Sequence, residues 1–286
     1  MCLVQDRKVL ETLSGSVYYP KFYRLAEILD ELGSVVVGLS GGVDSTLLAY
    51  LAKAVLGKEN VLCVTAVSAS LSSDELEVCK EFCFDYEINF QQVLTREMEN
   101  PSYVENSSFR CYFCKSELFD ELLPLAERFQ STVILGVNSD DDPGTRPGQR
   151  AALERGGRFP LSEAGIGKSE IRAIARDLGL STWDKPQSAC LASRIPFGTP
   201  VTVEALSQIQ RVERALKRLG FRQLRARHHG DTVRLEVSTD DLKLVLESRE
   251  EIVSRCKNAG YGFVTLDLEG FQSGSFHTRK SRSIIN

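Results

Sequence analysis

The segment Ser-Gly-Gly-Val-Asp-Ser, residues 40–45, constrains the fold of this 286-residue chain more than any other. It follows an apolar run at 34–39 and precedes a stretch with helical spacing at 45–56. Small residues between a buried strand and a helix let backbone N–H groups converge on an anion, and the helix dipole adds favourable partial charge. The segment therefore predicts a phosphate-binding loop, with candidate contacts at Ser40, Gly41, Gly42, Asp44 and Ser45.

The same residues also fit a simpler interpretation. In an ordinary glycine-rich turn between a strand and a helix, Asp44 or Ser45 would cap the helix. Asp44 has a further possible role, because carboxylates are good ligands for the hard cation Mg²⁺. The sequence leaves capping and Mg²⁺ binding open for this residue.

The spacing of the loop distinguishes it from two common phosphate loops. A Walker A loop needs Gly-x-x-x-x-Gly-Lys followed by Ser or Thr, a dinucleotide loop needs Gly-x-Gly-x-x-Gly, and the segment 40–45 has neither. It resembles, residue for residue, the loop of the ATP pyrophosphatase (PP-loop) group. That resemblance implies cleavage of ATP between its α and β phosphates, with the loop holding the departing pyrophosphate.

Short β-branched runs alternate with longer helical stretches from residue 34 onward. Strands of this length separated by helices are typical of a parallel sheet with crossover helices, so we expect an α/β, Rossmann-like sheet domain. The predicted strands lie at 34–39, 61–67, 88–93 and 132–137, and the predicted helices at 45–56, 74–84, 114–129 and 168–178. Residues 138–167, rich in Gly, Asp, Pro and Arg, read as a long loop.

An irregular connector at 181–202 contains three prolines and marks a domain boundary. We expect a nucleotide-binding domain at 1–185 and a smaller C-terminal α+β domain at 186–286 that binds substrate or mediates oligomerisation. In the second domain, apolar residues at helical spacing between 206 and 219 predict a helix. A hairpin turning near 229–231, a second helix at 240–259 and a strand at 263–268 complete the prediction.

Composition and charge narrow the class of protein. With 42% apolar and 26% charged residues, the chain has enough apolar material for a core, and its apolar runs are too short to span a membrane. The net charge of −4 argues against a general nucleic-acid binder. Residues 1–185 nevertheless carry 19 basic and 28 acidic side chains, whereas 186–286 carry 16 and 11. A basic second part indicates an anionic ligand or a solvated charged face.

The eight cysteines are expected to stay reduced. The N-terminus has no basic segment followed by an apolar one, so we expect a cytoplasmic protein. Cys111 and Cys114 form a Cys-x-x-Cys beside Arg110 and Lys115, and Cys190 lies near Arg194; nearby cations favour the thiolate. The other five, Cys2, Cys63, Cys79, Cys83 and Cys256, are expected to be packing residues, although a zinc site of Cys79, Cys83, Cys111 and Cys114 competes with that interpretation.

Six motifs together carry a more specific resemblance. The segments SGGVDS, TRPGQR, GKSEIRAIARDLGL, ACLASRIPFGT, RARHHGD and VTLDLEGFQSGS occur in this order. They are similar to those of the LarE family of ATP-dependent sulfur transferases, which make the thiocarboxylates of the nickel-pincer nucleotide used by lactate racemase. The resemblance covers about residues 20–275.

The resemblance implies roles for particular residues. The substrate is a pyridinium mononucleotide with two carboxylates; ATP adenylylates one carboxylate and sulfur then displaces AMP. Cys190 matches the cysteine that, in sacrificial members, gives up its own sulfur and becomes dehydroalanine. Arg225 and Arg227 match the pair that binds substrate phosphate, and Ser193, Arg194 and Glu213 match residues lining the same pocket. Arg225 and Arg227 are two residues apart in a predicted strand, so their side chains share a face, and the guanidinium group suits phosphate. The same spacing also fits two arginines that are simply exposed on the strand.

The cysteines of this chain differ from those of the sacrificial members of the family, and the difference bears on where the sulfur comes from. Cys111 and Cys114 accompany Cys190, as in the iron-sulfur members of the family, in which three cysteines hold a 4Fe-4S cluster with one iron open to an extra sulfide. We therefore expect cluster-dependent transfer, with sacrificial transfer from Cys190 as the alternative. A tRNA thiolase, an amidotransferase-like NAD or GMP synthetase and a nucleotide-binding regulatory module are the remaining hypotheses. The resemblance also implies a homo-hexamer.

Overall fold

The structure is a computed structural model that describes residues 4–141 and 146–272. Seven strands and twelve α-helices lie in these residues. The strands are β1 Val35–Gly38, β2 Val61–Val67, β3 Asn89–Leu94, β4 Thr132–Leu135, β5 Leu224–His229, β6 Thr232–Val237 and β7 Phe263–Leu266. The helices are α1 Arg7–Leu13, α2 Tyr19–Leu32, α3 Val43–Leu56, α4 Ser73–Asp85, α5 Pro101–Val104, α6 Arg110–Arg128, α7 Pro147–Glu154, α8 Pro160–Glu163, α9 Lys168–Asp177, α10 Val203–Arg218, α11 Leu242–Glu247 and α12 Arg249–Asn258.

The chain forms two compact units. The first comprises the residues up to Glu97 together with Phe109–Ser188, and the second comprises Met98–Ser108 together with the residues from Ala189 onward. In the second unit the inserted segment is fixed by Asn106, whose side-chain amide donates to the carbonyls of Pro196 at 2.8 Å and Thr199 at 2.7 Å.

The first unit is built on a four-stranded parallel sheet in the order β3-β2-β1-β4. Alternate residues of β1 enter different apolar clusters: Val35 and Val37 pack with α2, α3 and α9, whereas Val36 packs with α6 and α7. Burial on both faces explains the continuous apolar runs in the sequence. The predicted α/β class and parallel sheet are confirmed.

Two predicted elements are wrong. The expected loop at 138–167 contains α7 and α8, and only residues 142–145 of it lie outside the described part. Both helices begin with proline at a first-turn position, a start signal that the glycine-rich composition obscured. The expected helix at 240–259 is divided at Ser248 into α11 and α12, and the acidic residues after Ser248 favour a new helix start.

The second unit contains a three-stranded sheet in the order β5-β6-β7. β5 and β6 form the predicted antiparallel hairpin, which turns through Gly230, and β7 pairs in parallel with β6. Helix α10 buries the predicted apolar face, including Leu206, Ile209 and Val212. Across the described residues, no helix has the length and apolar character needed to cross a membrane.

Candidate functional site

The phosphate loop lies between the carboxyl end of β1 and the start of α3. Its two ends are joined by Ser45, whose hydroxyl accepts a hydrogen bond from the Ser40 amide at 3.2 Å and donates to the Gly42 carbonyl at 3.0 Å. Gly42 is the N-cap of α3 and has extended backbone, with no side-chain capping bond. The first N–H groups of a helix have no partner within the helix, so the loop presents donors suited to an anion.

Gly41 has a backbone conformation that requires glycine. Its φ is +72°, and a Cβ atom there would lie 3.1 Å from Cys79 Sγ and 3.3 Å from the Glu75 carbonyl oxygen. The loop is therefore pressed against α4, which carries both of these residues.

Asp44 does not cap its helix, because the cap position belongs to Gly42. Both oxygens of its carboxylate instead accept from Lys168 Nζ, at 2.8 and 2.7 Å. Lys168 begins α9, and its own amide donates to Asp140 at 2.6 Å. The capping role is therefore not observed for Asp44, whose carboxylate pairs with an ammonium group, and Mg²⁺ binding at this residue stays a prediction.

Sequence reasoning missed Lys168 and a second lysine at the loop, Lys185. The Lys185 ammonium donates to the Gly41 carbonyl at 2.9 Å and to Glu75 Oε2 at 2.6 Å. The Gly-Lys pair at a helix start was a readable signal for Lys168, whereas Lys185 lies in an irregular segment with no pattern to mark it.

Exposure divides the described cysteines into two groups. Cys111 and Cys190 are exposed and Cys114 is half-buried. The buried group is Cys63, Cys79, Cys83 and Cys256. Burial raises the pKa of the Cys79 thiol to about 11 and that of Cys256 to about 12, which keeps both protonated at neutral pH. Cys2 lies outside the described residues.

The four-cysteine zinc site is not formed. Cys79 and Cys83 lie in the apolar core of the first unit, whereas Cys111 is exposed. Within 4–141 and 146–272, no three His, Cys, Asp or Glu side chains are grouped as ligands for a metal ion. The donor chemistry of the less buried trio, Cys111, Cys114 and Cys190, nevertheless suits iron, because thiolates are the usual ligands of iron-sulfur clusters.

Cys111 and Cys114 lie in the first turns of α6, which begins four residues earlier than the sequence indicated. Helix α7 packs closely here: a Cβ atom on Gly148 would lie 3.1 Å from the Cys111 carbonyl oxygen and 3.1 Å from Lys115 Cγ. The neighbouring Arg110 is buried. The motif containing Gly148 thus supports the helical turn that carries the two cysteines.

Cys190 precedes a 3₁₀ turn, Leu191–Arg194, that is held by a buried arginine. Arg194 Nη1 donates to the carbonyls of Ala189 and Cys190 and to the Ser193 hydroxyl. Its other nitrogens form a two-point ion pair with Glu213, at 2.8 and 3.0 Å. Arg194 is 2% exposed, so the pair positions the backbone of the cysteine turn.

Arg225 and Arg227 are buried on β5, which excludes the simpler interpretation of exposed strand arginines. Arg227 donates to the Ser193 carbonyl at 2.9 Å and lies 2.8 Å from Glu236, which is 1% exposed and was missed by sequence reasoning. The Arg225 guanidinium lies 4.9 Å from the centre of the Phe271 ring. Burial lowers the pKa of Arg225 to about 10, which leaves it charged at neutral pH.

Known proteins are similar to this chain over different lengths of its sequence. Residues 25–107 match the family model of NAD synthase. Over 260 residues the chain is 45% identical to an uncharacterised protein of Synechocystis, covering 90% of this chain and 97% of that protein. Over 251 residues it is 33% identical to the pyridinium-3,5-bisthiocarboxylic acid mononucleotide synthase of Lactiplantibacillus plantarum, covering 87% and 91%. An NH₃-dependent NAD⁺ synthetase of Fusobacterium nucleatum matches over 63 residues at 43% identity, covering 22% of this chain and 24% of that protein.

Proposed function

Because the chain belongs to the LarE family of PP-loop proteins, we propose that it is an ATP-dependent sulfur transferase. Its substrate is pyridinium-3,5-biscarboxylic acid mononucleotide, and its product carries a thiocarboxylate for the nickel-pincer nucleotide cofactor of lactate racemase. The observation that carries the proposal is the phosphate loop, Ser40–Ser45, with the Asp44 carboxylate beside helix-start N–H groups.

The first step activates a carboxylate. A substrate carboxylate oxygen attacks the α phosphorus of ATP, the bond from that phosphorus to the bridging oxygen breaks, and pyrophosphate leaves with the electron pair. The loop amides and the positive end of α3 stabilise the charge that develops on the leaving group. Asp44 is suited to hold the Mg²⁺ that accompanies ATP, since carboxylates are its usual protein ligands.

The second step exchanges oxygen for sulfur. A sulfur nucleophile attacks the acyl carbon of the adenylate, a C–S bond forms, and the C–O bond to AMP breaks. In the cluster-dependent route, Cys111, Cys114 and Cys190 would hold a 4Fe-4S cluster, which would supply an extra sulfide as the nucleophile. In the sacrificial route, the Cys190 thiolate attacks to form a thioester. A base then removes the Cα proton of residue 190 and the Cβ–S bond breaks, so that the electron pair leaves on the thiocarboxylate sulfur and dehydroalanine remains.

Cysteine exposure supports the choice of sulfur residues. These three thiols are the exposed or half-buried ones among the described residues, and the remaining described cysteines are buried. The Arg194–Glu213 pair fixes the backbone carbonyl of Cys190 and so limits where its thiol can lie. The backbone that carries the exposed Cys190 thiol is therefore restrained.

The buried arginines of β5 are suited to the substrate phosphate. Arg225 and Arg227 alternate along one strand and are both charged and shielded from water, which strengthens their attraction to a dianion. Glu236 faces Arg225 in the strand register and forms an ion pair with Arg227, so it restrains the Arg227 guanidinium in the absence of substrate.

The test is a complete reaction with anaerobically purified protein, ATP, Mg²⁺ and the pyridinium dicarboxylate. We expect pyrophosphate, AMP and thiocarboxylate, with Cys190→Ala still releasing pyrophosphate and making no thiocarboxylate. Iron and acid-labile sulfide in the purified protein support the cluster route, and dehydroalanine at position 190 in the intact mass supports the sacrificial one. Absence of pyrophosphate release in the wild type would contradict the proposal as a whole.

We place the protein in the cytoplasm, where its thiols remain reduced. Its assembly as a homo-hexamer is a further part of the proposal that rests on the family. Light scattering of the purified protein measures this directly, and a monomer in solution would remove it without affecting the chemistry.

A further inference from the structure

Lys185 makes two contacts that connect it to the phosphate loop. Its ammonium donates to the Gly41 carbonyl at 2.9 Å and pairs with Glu75 at 2.6 Å. The side chains of Lys185 and Glu75 are 18% and 10% exposed. A largely buried ion pair is geometrically restrained. The pair of Lys80 and Glu77, on the helix α4 that also carries Glu75, is exposed and is not restrained in this way.

The segment that carries Lys185 is itself anchored within the first unit. The hydroxyls of Thr182 and Thr46 lie 2.7 Å apart, and Thr46 belongs to α3, the helix that begins in the loop. Arg172 of α9 donates to the carbonyls of Trp183 and Lys185, at 2.8 and 2.9 Å. The backbone on which the lysine sits is therefore placed before any ligand binds.

The direction of the Gly41 carbonyl decides the direction of the next amide. In a planar trans peptide the C=O and the following N–H point to opposite sides, and none of the described peptide bonds is cis. When Lys185 binds the Gly41 carbonyl, the Gly42 N–H is turned away from the lysine. Gly41 has no Cβ to restrict the rotation of this peptide, so a hydrogen bond to its carbonyl oxygen restrains the direction of the amide.

We propose that Lys185 is a positioning residue of the phosphate loop. Its ammonium holds the Gly41 carbonyl so that the Gly42 N–H faces the pyrophosphate, and Glu75 keeps the ammonium on that carbonyl. This rests on the proposed function, because it assigns the loop to pyrophosphate, and it adds a residue that the loop motif does not contain.

The experiment measures binding of magnesium pyrophosphate to the full chain by calorimetry. Lys185→Met is expected to weaken binding about tenfold or more, as expected for loss of a hydrogen bond from a charged donor that organises the site. Lys185→Arg, which retains donors for both partners, should bind within a few-fold of wild type. Lys80→Met is the matched control on the exposed pair and should leave binding unchanged.

A double variant guards against misfolding. Lys185→Met alone leaves the Glu75 carboxylate without its ammonium, so Lys185→Met combined with Glu75→Met removes both charges and should stay folded by circular dichroism. We expect it to bind pyrophosphate as weakly as the single variant, with the KM for ATP raised and the KM for the pyridinium nucleotide unchanged.

The outcomes separate the two proposals. Wild-type binding by the folded double variant, or by Lys185→Met, overturns the role of Lys185 and leaves the proposed function intact. A wild-type protein that neither binds pyrophosphate nor releases it from ATP overturns the proposed function and this inference together.

Discussion

Lys168 Nζ lies 2.8 and 2.7 Å from the two carboxylate oxygens of Asp44, so a lysine from the start of α9 pairs with the carboxylate beside the phosphate loop. In the proposed reaction, Mg²⁺ and the Lys168 ammonium would compete for the same carboxylate oxygens. The Lys168 ammonium also brings a positive charge to the loop, which suits a phosphate group. The Asp44 carboxylate therefore has two candidate partners, the Lys168 ammonium and Mg²⁺.

Replacing Asp44 with Asn should reduce pyrophosphate release about a hundredfold, because an amide is a weaker Mg²⁺ ligand than a carboxylate. Initial rates across a Mg²⁺ titration measure the effect. Lys21→Met is the control and should retain activity. It removes the ion pair of Lys21 with Glu170, which lies on α9, the helix that also carries Lys168. A metal-binding role for Asp44 would be wrong under two conditions together. Lys168→Met would have to reduce pyrophosphate release as much as Asp44→Asn does, and Asp44→Asn would have to keep the Mg²⁺ dependence of the wild type.

Replacing Gly41 with Ala should weaken ATP binding. A positive φ costs a non-glycine residue about 1–2 kcal/mol, and the new Cβ would lie 3.1 Å from Cys79 Sγ. Equilibrium ATP binding with thermal melting measures both effects. Gly15→Ala is the matched control, since its Cβ meets nothing within 4 Å and its φ is ordinary. Normal ATP affinity in Gly41→Ala would show that the loop tolerates a different backbone.

Replacing Arg194 with Met should lower the free energy of unfolding by about 3 kcal/mol, because it leaves the Glu213 carboxylate buried without its partner. Urea unfolding measures the loss. Adding Glu213→Leu should restore much of the stability, whereas thiocarboxylate formation should stay impaired in both variants because Cys190 loses its anchor. Full sulfur transfer by the stable double variant would mean that Arg194 contributes only to stability.

Replacing Arg225 with Ala should raise the KM for the pyridinium nucleotide about tenfold or more and change kcat little, as expected for a phosphate contact that is similar in the ground and transition states. Steady-state kinetics at saturating ATP measure the two constants. Arg249→Ala, at an exposed site in the same unit, should leave both unchanged. A fall in kcat with an unchanged KM would argue against a phosphate anchor.

Thiol alkylation at pH 8 should label Cys111, Cys114 and Cys190 in the native metal-free protein and spare the buried cysteines. At that pH a thiol with a pKa of about 11, such as Cys79, is ionised in only about one molecule in a thousand, and the thiolate is the reactive form. Peptide mass spectrometry identifies the labelled sites. Reconstitution with iron and sulfide should protect all three, and labelling that reconstitution does not change would contradict their role as ligands.

The sequence was most informative where a pattern was local. Alternating apolar runs predicted the parallel sheet, and the spacing of 206–219 predicted α10. It was least informative where local signals disagreed, as in 138–167, where glycine-rich composition concealed α7 and α8. Of the candidate site residues, the loop, the cysteines and the β5 arginines could be named from the sequence, whereas Glu75, Lys185 and Glu236 could not.

The amino-acid sequence by itself determined the phosphate loop, because small residues between a strand and a helix need only their neighbours to form it. It also identified the cysteines that are close to basic residues along the chain. Only the tertiary structure decided which cysteines are buried and which charges pair, as with Lys168 on Asp44 and Lys185 on Gly41. These partners are separated by more than a hundred residues, and their contact depends on the order of the strands and the packing of helices on the sheet, which no local pattern encodes.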